Sequence, residues 1–443
     1  MKRLKLALRK LALLNLALIL GFDSFCQKKL IVPQDIYIDH LFHVTEVMVT
    51  DVVAPPAAAR FYAYTTLAAH LAWELSAKLG GQKGTLLDRS NVPLVDVPVA
   101  APEIYPEFVS VYSMLEVGKN IMPSGKLLAS NQEELIRTFQ KSKWMPKKTV
   151  EANKAFAMEI AAIVLKLARE DGYSRLSTYT RYTPKSKEGY WYPTPPAYMA
   201  PVEPEWRTIR TFFIQNLKEY KPNPPAIFDL SDGSSFQRQM QEVHTASRNL
   251  SEEQELIANF WDCNPFKVDF SGHMAIGIKK ISPGGHWIGI TGIASKKADL
   301  DWGKMLYIHA LVGMGLHDAF VSCWEEKYDS DRIRPETAIN KYLDQTWRPL
   351  LQTPPFPEYT SGHSVISRTS AELLTDFFGG DFDFIDSSEV YFGLPERAFP
   401  SFLYASDEAA ISRLYGGIHF RDAIEEGSKQ GEKIGKFILQ RVR

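Results

Sequence analysis

The chain has 443 residues, of which 45% are hydrophobic and 23% charged, and its net charge is −1. This length is sufficient for one large or two medium-sized domains with a substantial buried core, and the composition is that of an ordinary globular protein. The near-neutral charge argues against a nucleic-acid-binding surface, so any cluster of cations must be local.

The first 26 residues have the pattern of an export signal. A basic start (MKRLKLALRK) precedes an apolar segment at residues 11–22, and small residues before Gln27 suit cleavage. The apolar segment is shorter than the ~20 residues of a membrane-spanning helix, and no later segment is expected to span a membrane. We therefore predict a signal peptide at residues 1–26 and a periplasmic or secreted protein, with lipid anchoring through Cys26 as the alternative.

The spacing of apolar residues is helical along most of the chain. A helix is predicted around residues 156–167 and another after Pro55, whereas strand-like alternation is scarce. A proline-rich stretch at 184–204 separates an N-terminal half (27–180) from a C-terminal half (203–443). The expected fold class is all-α, built from packed helical bundles. Beyond residue 26 the only cysteines are Cys263 and Cys323, which do not make a disulfide framework.

The first of three chemically informative blocks is KYDSDRIRP at residues 327–335. It follows an apolar, buried-type helix at 303–326, and the chain is expected to leave that helix directly after Lys327. Pro335 favours an extended conformation at Arg334, which can turn the guanidinium back toward Lys327. The alternative is that both cations form surface ion pairs with the aspartates between them.

The second block is TSGHS, which follows a segment at residues 354–359 that cannot be regular helix. Thr360 or Ser361 can cap the next helix, whose first N–H groups would point at an anion while Gly362 lets the backbone come close. His363 would stand beside that anion with a pKa range suited to proton transfer. The alternative is a simple capping turn with a histidine nearby.

The third block is SRLYGGIHFRD at residues 412–422. The Gly416-Gly417 pair breaks the helix between Arg413 and His419, so both side chains can converge on one point. A glycine stripe at four-residue spacing in the following helix permits close helix packing, which would hold His419 rigidly. The alternative is a lone structural histidine. The glycines of the stripe are Gly427, Gly431 and Gly435.

Together the blocks supply cations, histidines, a hydroxyl and a glycine N–H, which suit an oxyanion such as phosphate or vanadate. They resemble the signature of the vanadium-dependent haloperoxidase and type 2 phosphatidic acid phosphatase superfamily, K-x6-R-P, P-S-G-H and S-R-x3-G-x-H-x3-D. Thr360 departs from the usual proline. Asp422 lies three residues after His419 instead of four, so the sequence does not identify the carboxylate that orients this histidine. The matching residues are Lys327, Arg334, Pro335, Ser361, Gly362, His363, Ser412, Arg413, Gly417 and His419.

The resemblance implies two helical bundles with the oxyanion site in the C-terminal bundle, and a vanadate cofactor. It also implies oxidation of a halide by hydrogen peroxide to hypohalous acid, which halogenates small organic acceptors. Iodide or bromide is expected in preference to chloride. The haloperoxidase branch is favoured because Trp324 stands three residues before the lysine and the chain is long.

The resemblance also implies a role for each matching side chain. His419 would bind vanadium, His363 would be the acid–base group, and Lys327 would polarise the peroxide. Trp324 and Phe356 would form the halide environment. The cofactor-binding residues would be Lys327, Arg334, Ser361, Gly362, His363, Arg413 and His419.

Two other functions remain open from the sequence. One is an exported acid phosphatase in which His419 is the nucleophile, and the other is an oxyanion-binding protein without catalysis. A zinc hydrolase and a serine hydrolase are not expected, because the chain has no H-E-x-x-H and no G-x-S-x-G motif.

Overall fold

The computed structural model describes residues 33–77, 86–92, 103–195, 197–271 and 273–443. The predicted signal peptide, including Cys26, lies outside these residues. The described chain is predominantly helical, which confirms the all-α class. Its α-helices are α1 (Pro33–Thr50), α2 (Pro55–Ser76), α3 (Pro106–Ile121), α4 (Ala129–Lys141), α5 (Val150–Arg169), α6 (Ser235–Arg248), α7 (Glu252–Phe260), α8 (Pro283–Lys297), α9 (Trp302–Ser330), α10 (Pro335–Tyr342), α11 (Gly362–Phe378), α12 (Phe402–Tyr415) and α13 (Arg421–Val442).

Two small antiparallel hairpins are the only strand pairs in the described part of the chain. They lie at the edges of the helical structure and contribute few residues to its core. The strands are β1 (Val268–Ser271), β2 (Met274–Gly277), β3 (Phe384–Asp386) and β4 (Arg397–Phe399). Short 3-10 helices lie at Gly125–Leu128, Lys147–Thr149, Tyr173–Thr178, Trp206–Thr208, Leu217–Tyr220 and Val390–Phe392.

Helix α9 is the central element of the fold. It is apolar on nearly every face and packs against α2, α8 and α11. Within the described ranges it is the one helix long and apolar enough to cross a membrane, contrary to the expectation that no later segment would be. Almost all of it is buried against other helices, as in the core helix of a globular protein.

The largest apolar cluster contains side chains from both predicted halves, such as Phe61 and Val164 before the proline-rich stretch and Leu311 after it. The two halves therefore share a core. Their division into separate domains at 27–180 and 203–443 stays a prediction.

The predicted glycine stripe brings α13 against α11. A Cβ atom at Gly427 would lie 3.0 Å from the Ser361 carbonyl oxygen, and one at Gly435 would lie 2.7 Å from the Glu372 Cβ. The backbone N–H of Ser361 also donates to the Ala423 carbonyl at 3.0 Å. The start of α11 is therefore anchored on the start of α13.

Candidate active site

The three sequence blocks meet at the ends of five helices, α9 to α13. Helix α9 continues to Ser330, one turn further than predicted, and ends at Asp331 in the left-handed region with φ of 52°. Arg334 then has the predicted extended conformation at the N-cap of α10. Gly417, with φ of 74°, makes the turn between α12 and α13 where a side chain would be strained.

Lys327 is fully buried and does not form the alternative surface ion pair. Its ammonium donates to the carbonyl oxygens of Pro357 at 3.1 Å and Glu358 at 3.0 Å, and also to that of Thr360. The same nitrogen lies 5.1 Å from the centre of the Phe356 ring. Burial lowers the pKa of Lys327 to about 8.

Arg334 and Arg413 are also buried, and each is held by backbone carbonyls. Arg334 donates from Nε to the Phe356 carbonyl at 2.8 Å and from Nη1 to the Ile418 carbonyl at 3.0 Å. Arg413 donates from Nη2 to the Trp261 carbonyl at 2.6 Å. Burial lowers the pKa of Arg334 to about 10 and lowers that of Arg413. Each guanidinium is thus fixed in orientation by carbonyl oxygens, while the nearest carboxylate charges, Glu358 for Arg334 and Asp262 for Arg413, act on it without a direct ion pair.

A buried carboxylate sets the protonation of His419. Nδ1 of His419 lies 2.8 Å from Oε1 of Glu358, which also accepts the Phe420 N–H at 2.9 Å. Burial and the neighbouring arginine and lysine charges lower the pKa of His419 well below its usual value, so the ring is neutral. Its one proton belongs on Nδ1, facing the carboxylate. Nε2 therefore keeps its lone pair, 3.2 Å from Nη1 of Arg334.

The displaced aspartate of the third block has a different partner. Oδ1 of Asp422 accepts from Nη1 of Arg332 at 2.6 Å, and Arg332 also lies 3.3 Å from Oε2 of Glu358. Asp422 thus reaches His419 only indirectly, through Arg332 and Glu358. The orienting group that the sequence left unidentified is Glu358, five residues before His363.

The start of α11 forms another side of the site. Ser361 caps the helix, since its hydroxyl oxygen accepts the Ser364 N–H at 3.3 Å. Burial and the nearby Arg413 charge lower the pKa of His363 well below its usual value, while a hydrogen bond to the Trp261 backbone opposes this. The ring is neutral, and its buried Nε2 has no partner among the described residues. A group that can accept a proton therefore lies beside the helix N-terminus.

A small, partly open cavity of about 40 Å³ runs into this cluster. One wall is aromatic, because the Trp324 and Phe356 rings lie with their centres 5.0 Å apart. Six of the predicted site residues line the cavity. They are Trp324, Phe356, Gly362, His363, Arg413 and His419.

The other predicted residues lie just behind the cavity wall. Arg334 contacts His419 directly, Lys327 packs on Phe356, and Ser361 precedes Gly362 at the helix cap. The structure thus brings all nine predicted residues together. Sequence reasoning missed Glu358, although a carboxylate inside the PFPEYTSGH segment was a visible signal, and it missed the loop at residues 262–266, which also lines the cavity.

The chemistry of these residues fits vanadate. The lone pair on Nε2 of His419 is a metal ligand, and the neighbouring cations suit the oxygens of a tetrahedral anion. The orphaned Nε2 of His363 is a further polar atom that a bound oxyanion would satisfy. A carboxylate hydrogen-bonded to the far nitrogen of a ligating histidine is the usual support for such a bond.

Comparison with known proteins agrees with this chemistry. Residues 340–443 match the family model of the VCPO second helical-bundle domain. No curated protein matches the chain in sequence. The fold is similar to that of the first bacterial vanadium-dependent iodoperoxidase, with a TM-score of 0.84 and 38% identity over 92% of this chain and 96% of that one.

Two more distant structures share the fold alone. A holo-type bacterial vanadium-dependent chloroperoxidase has a TM-score of 0.64 and 16% identity, over 88% of this chain and 93% of that one. The apo-type bacterial chloroperoxidase has a TM-score of 0.61 and 15% identity, over 88% of this chain and 94% of that one. The near full-length similarity at 38% identity shows that the chain belongs to the vanadium-dependent haloperoxidase family.

Proposed function

We propose that this protein uses vanadate and hydrogen peroxide to oxidise a halide, and that iodide and bromide are oxidised in preference to chloride. The single observation that carries the reaction is the position of His419, whose Nδ1 lies 2.8 Å from Oε1 of Glu358 and whose Nε2 faces the buried Arg334 at 3.2 Å. Vanadate supplies, when bound, a Lewis-acid centre that activates hydrogen peroxide toward a halide.

The protein's own groups would divide the remaining work. Lys327, Arg334 and Arg413 would hold the oxygens of the anion, helped by Ser361 and the N–H of Gly362. Nε2 of His363 would take the proton that hydrogen peroxide loses on binding and return it to the departing oxygen. Lys327, placed over the Phe356 ring, would polarise the peroxide.

The halide preference is supported by two observations. The relative with 38% identity is described as an iodoperoxidase. In addition, the Trp324 and Phe356 rings form a wall that suits a large, weakly hydrated and polarisable halide better than chloride.

A halide-oxidation assay tests the reaction. Protein produced without added vanadate should oxidise iodide only after orthovanadate is supplied, and phosphate should compete because it has the same shape and charge type. His419→Ala should abolish vanadate retention, whereas His363→Ala should retain vanadate but turn over ~10²–10⁴-fold more slowly. His43→Ala, on the surface of α1, is the matched control and should keep both properties.

The outcomes separate this function from a phosphatase. Full iodide oxidation without vanadate would rule the proposal out. Turnover of a phosphoester by vanadate-free protein, lost in His419→Ala, would favour the phosphatase alternative instead.

We also propose export of the mature protein, supported by the basic and apolar segments within residues 1–26. Hydrogen peroxide, halide and small organic acceptors would then be met outside the cytoplasm. Mass spectrometry of the protein from fractionated cells tests this. A mature start at Gln27 supports a cleaved signal peptide, a diacylated Cys26 indicates a lipoprotein, and an intact Met1 in the cytoplasm rejects export.

A further inference from the structure

A second cluster of ligand-type side chains lies beside the cavity but plays no part in holding the oxyanion. Sγ of Cys263 lies 3.3 Å from Nδ1 of His286 and 3.8 Å from Oε1 of Glu389, and Nδ1 of His286 lies 3.2 Å from the same carboxylate oxygen. All three residues are buried. They come from distant parts of the chain, so the tertiary structure alone brings them together.

The three distances match those between the donors of one metal ion. Typical zinc bonds are about 2.3 Å to sulfur and about 2.0–2.2 Å to nitrogen or oxygen, so a tetrahedral ion separates its donors by about 3.3–3.6 Å. The observed separations of 3.2, 3.3 and 3.8 Å lie at the edge of that range or within about 0.2 Å of it, so only a small adjustment of the side chains is needed. Thiolate, imidazole and carboxylate are also the three ligand types that zinc takes from proteins.

A second carboxylate holds the histidine in the orientation that a metal needs. Nε2 of His286 lies 2.7 Å from Oδ2 of Asp386. The other oxygen of Asp386 accepts from the N–H of Ser388 at 3.0 Å and from its hydroxyl at 2.6 Å. With its proton on Nε2, His286 turns the Nδ1 lone pair toward Cys263 and Glu389. This is the carboxylate–histidine–metal arrangement that supports known sites.

We propose that Cys263, His286 and Glu389 bind a divalent transition-metal ion, with zinc the best match, and that a water molecule completes the coordination. On binding, the Sγ–H proton of Cys263 passes to solvent and the thiolate bonds to the ion. His286 binds through the Nδ1 lone pair of its neutral form, and Glu389 binds through a carboxylate oxygen.

The proposed site would stiffen the wall that holds Arg413. The Trp261 ring stacks on His286 with centres 4.5 Å apart, and the Trp261 carbonyl accepts from Nη2 of Arg413 at 2.6 Å. Cys263 follows two residues later and lines the cavity. An ion bound to Cys263 and His286 would therefore fix the backbone segment that positions an oxyanion-binding arginine.

The competing explanation needs no metal. A doubly protonated His286 would donate to Asp386 through Nε2 and to Glu389 through Nδ1, and the Cys263 thiol would remain protonated. Both explanations satisfy the hydrogen bonds of the cluster, so metal content decides between them.

The test uses Co²⁺ as a spectroscopic probe and does not depend on halide oxidation. The Cys26→Ser, Cys323→Ser double variant leaves Cys263 as the only thiol of a chain that has three cysteines. Addition of Co²⁺ to this protein should give a thiolate-to-cobalt charge-transfer band that saturates at one ion per chain, with release of the Cys263 proton. Zinc should displace the cobalt. As purified, the unmodified protein should contain about one equivalent of zinc by elemental analysis.

Further variants assign the band to the cluster. Cys263→Ser in the otherwise unmodified chain should lose it, and Asp386→Asn should weaken metal binding by ~10–100-fold. If Cys263→Ser does not fold, the double variant still decides the question. A folded double variant without a band, or a band that survives Cys263→Ser, would overturn the proposal. Either result would leave the vanadate-dependent reaction untouched.

Discussion

The arginine that is buried in the N-terminal half and the two arginines that hold the predicted anion site are stabilised in opposite ways. In the N-terminal half, Arg60 donates from Nε to Oδ2 of Asp171 at 2.6 Å, and Tyr64 donates to the same oxygen at 3.0 Å. In the C-terminal half, Arg334 and Arg413 donate to carbonyl oxygens, and within the described part of the chain neither forms an ion pair.

The contrast separates a structural cation from a functional one. A buried cation that is bonded to a carboxylate has its charge compensated. A buried cation that is held only by carbonyl dipoles can still be stabilised by binding an anion. Lys327 belongs with the second group, since its ammonium contacts only carbonyl oxygens and aromatic rings. The missing counter-charge is the one that vanadate would bring.

The largest expected effect concerns the buried ion pair between Arg60 and Asp171. Arg60→Ala leaves Asp171 buried without its counter-charge and should lower the free energy of unfolding by about 3–5 kcal/mol. Chemical denaturation measures this. Arg169→Ala, an exposed arginine at the end of α5, should change stability by less than about 0.5 kcal/mol. Equal stability of the Arg60 and Arg169 variants would contradict the conclusion that the Arg60–Asp171 ion pair stabilises the fold.

The next effect concerns Arg334 and Arg413, the buried arginines that are not bonded to a carboxylate in the described part of the chain. A charge-assisted hydrogen bond contributes ~1.5–3 kcal/mol, so Arg334→Ala or Arg413→Ala should weaken vanadate binding by roughly 10–150-fold. Lysine at either position should recover only part of the loss, because an ammonium lacks the planar fork. Calorimetry on folded variants measures the affinity.

The matched control for these arginines is Arg368→Ala. Arg368 lies on α11 beyond His363, but its guanidinium pairs with Glu372 at 2.7 Å and with Glu432 at 3.5 Å. Its charge is already neutralised, so vanadate affinity should be nearly unchanged. Parent-like affinity in the Arg334 and Arg413 variants would mean that the three blocks do not form one anion site.

A smaller effect is expected from the support of His419. Glu358→Gln removes the charge that keeps the His419 proton on Nδ1, so vanadate affinity should fall by ~10–100-fold. Asp422→Asn acts only through Arg332 and should have less than a tenth of that effect. A larger loss in the Asp422 variant would transfer the orienting role back to the position that the family motif suggests.

The smallest effect is a pH dependence of vanadate affinity. The pKa of Lys327 is about 8 in the free protein, and a bound anion raises it. Affinity is therefore complete below pH 8 and should fall above it, by at most tenfold per pH unit for one proton. Lys327→Met should bind more weakly and lack this component. Vanadate's own ionisation is common to both proteins, so identical profiles would contradict the assignment.

The buried charge of Lys327 also lowers the free energy of unfolding of the vanadate-free protein. Because burial lowers its pKa from 10.5 to about 8, the unfolded chain holds this proton more tightly than the folded one. The charged lysine therefore destabilises the vanadate-free protein below pH 8, and that penalty disappears as the pH rises toward the unfolded pKa. Bound vanadate should reverse the penalty.

The helices show where local sequence information is enough. Residues 303–326 are apolar on all faces, so a buried helix could be predicted there, and Pro335 required Arg334 to be extended. The end of α9 was predicted one turn too early, because Tyr328 and Ser330 suit a helix or a loop equally and packing decides. The close packing of α13 could be predicted from the glycine stripe, because only glycine allows α13 to approach α11 so closely.

The sequence by itself determined the helical class and the three blocks, and it predicted the nine residues that the structure brings together at the cavity, because each depends on local spacing and on residue chemistry. The tertiary structure decided which carboxylate is hydrogen-bonded to which basic side chain. Asp422, three residues after His419, sits on a face of α13 that meets Arg332, while Glu358 reaches the histidine from another loop. Such pairings depend on packing between segments far apart in the chain, and burial then makes them electrostatically strong.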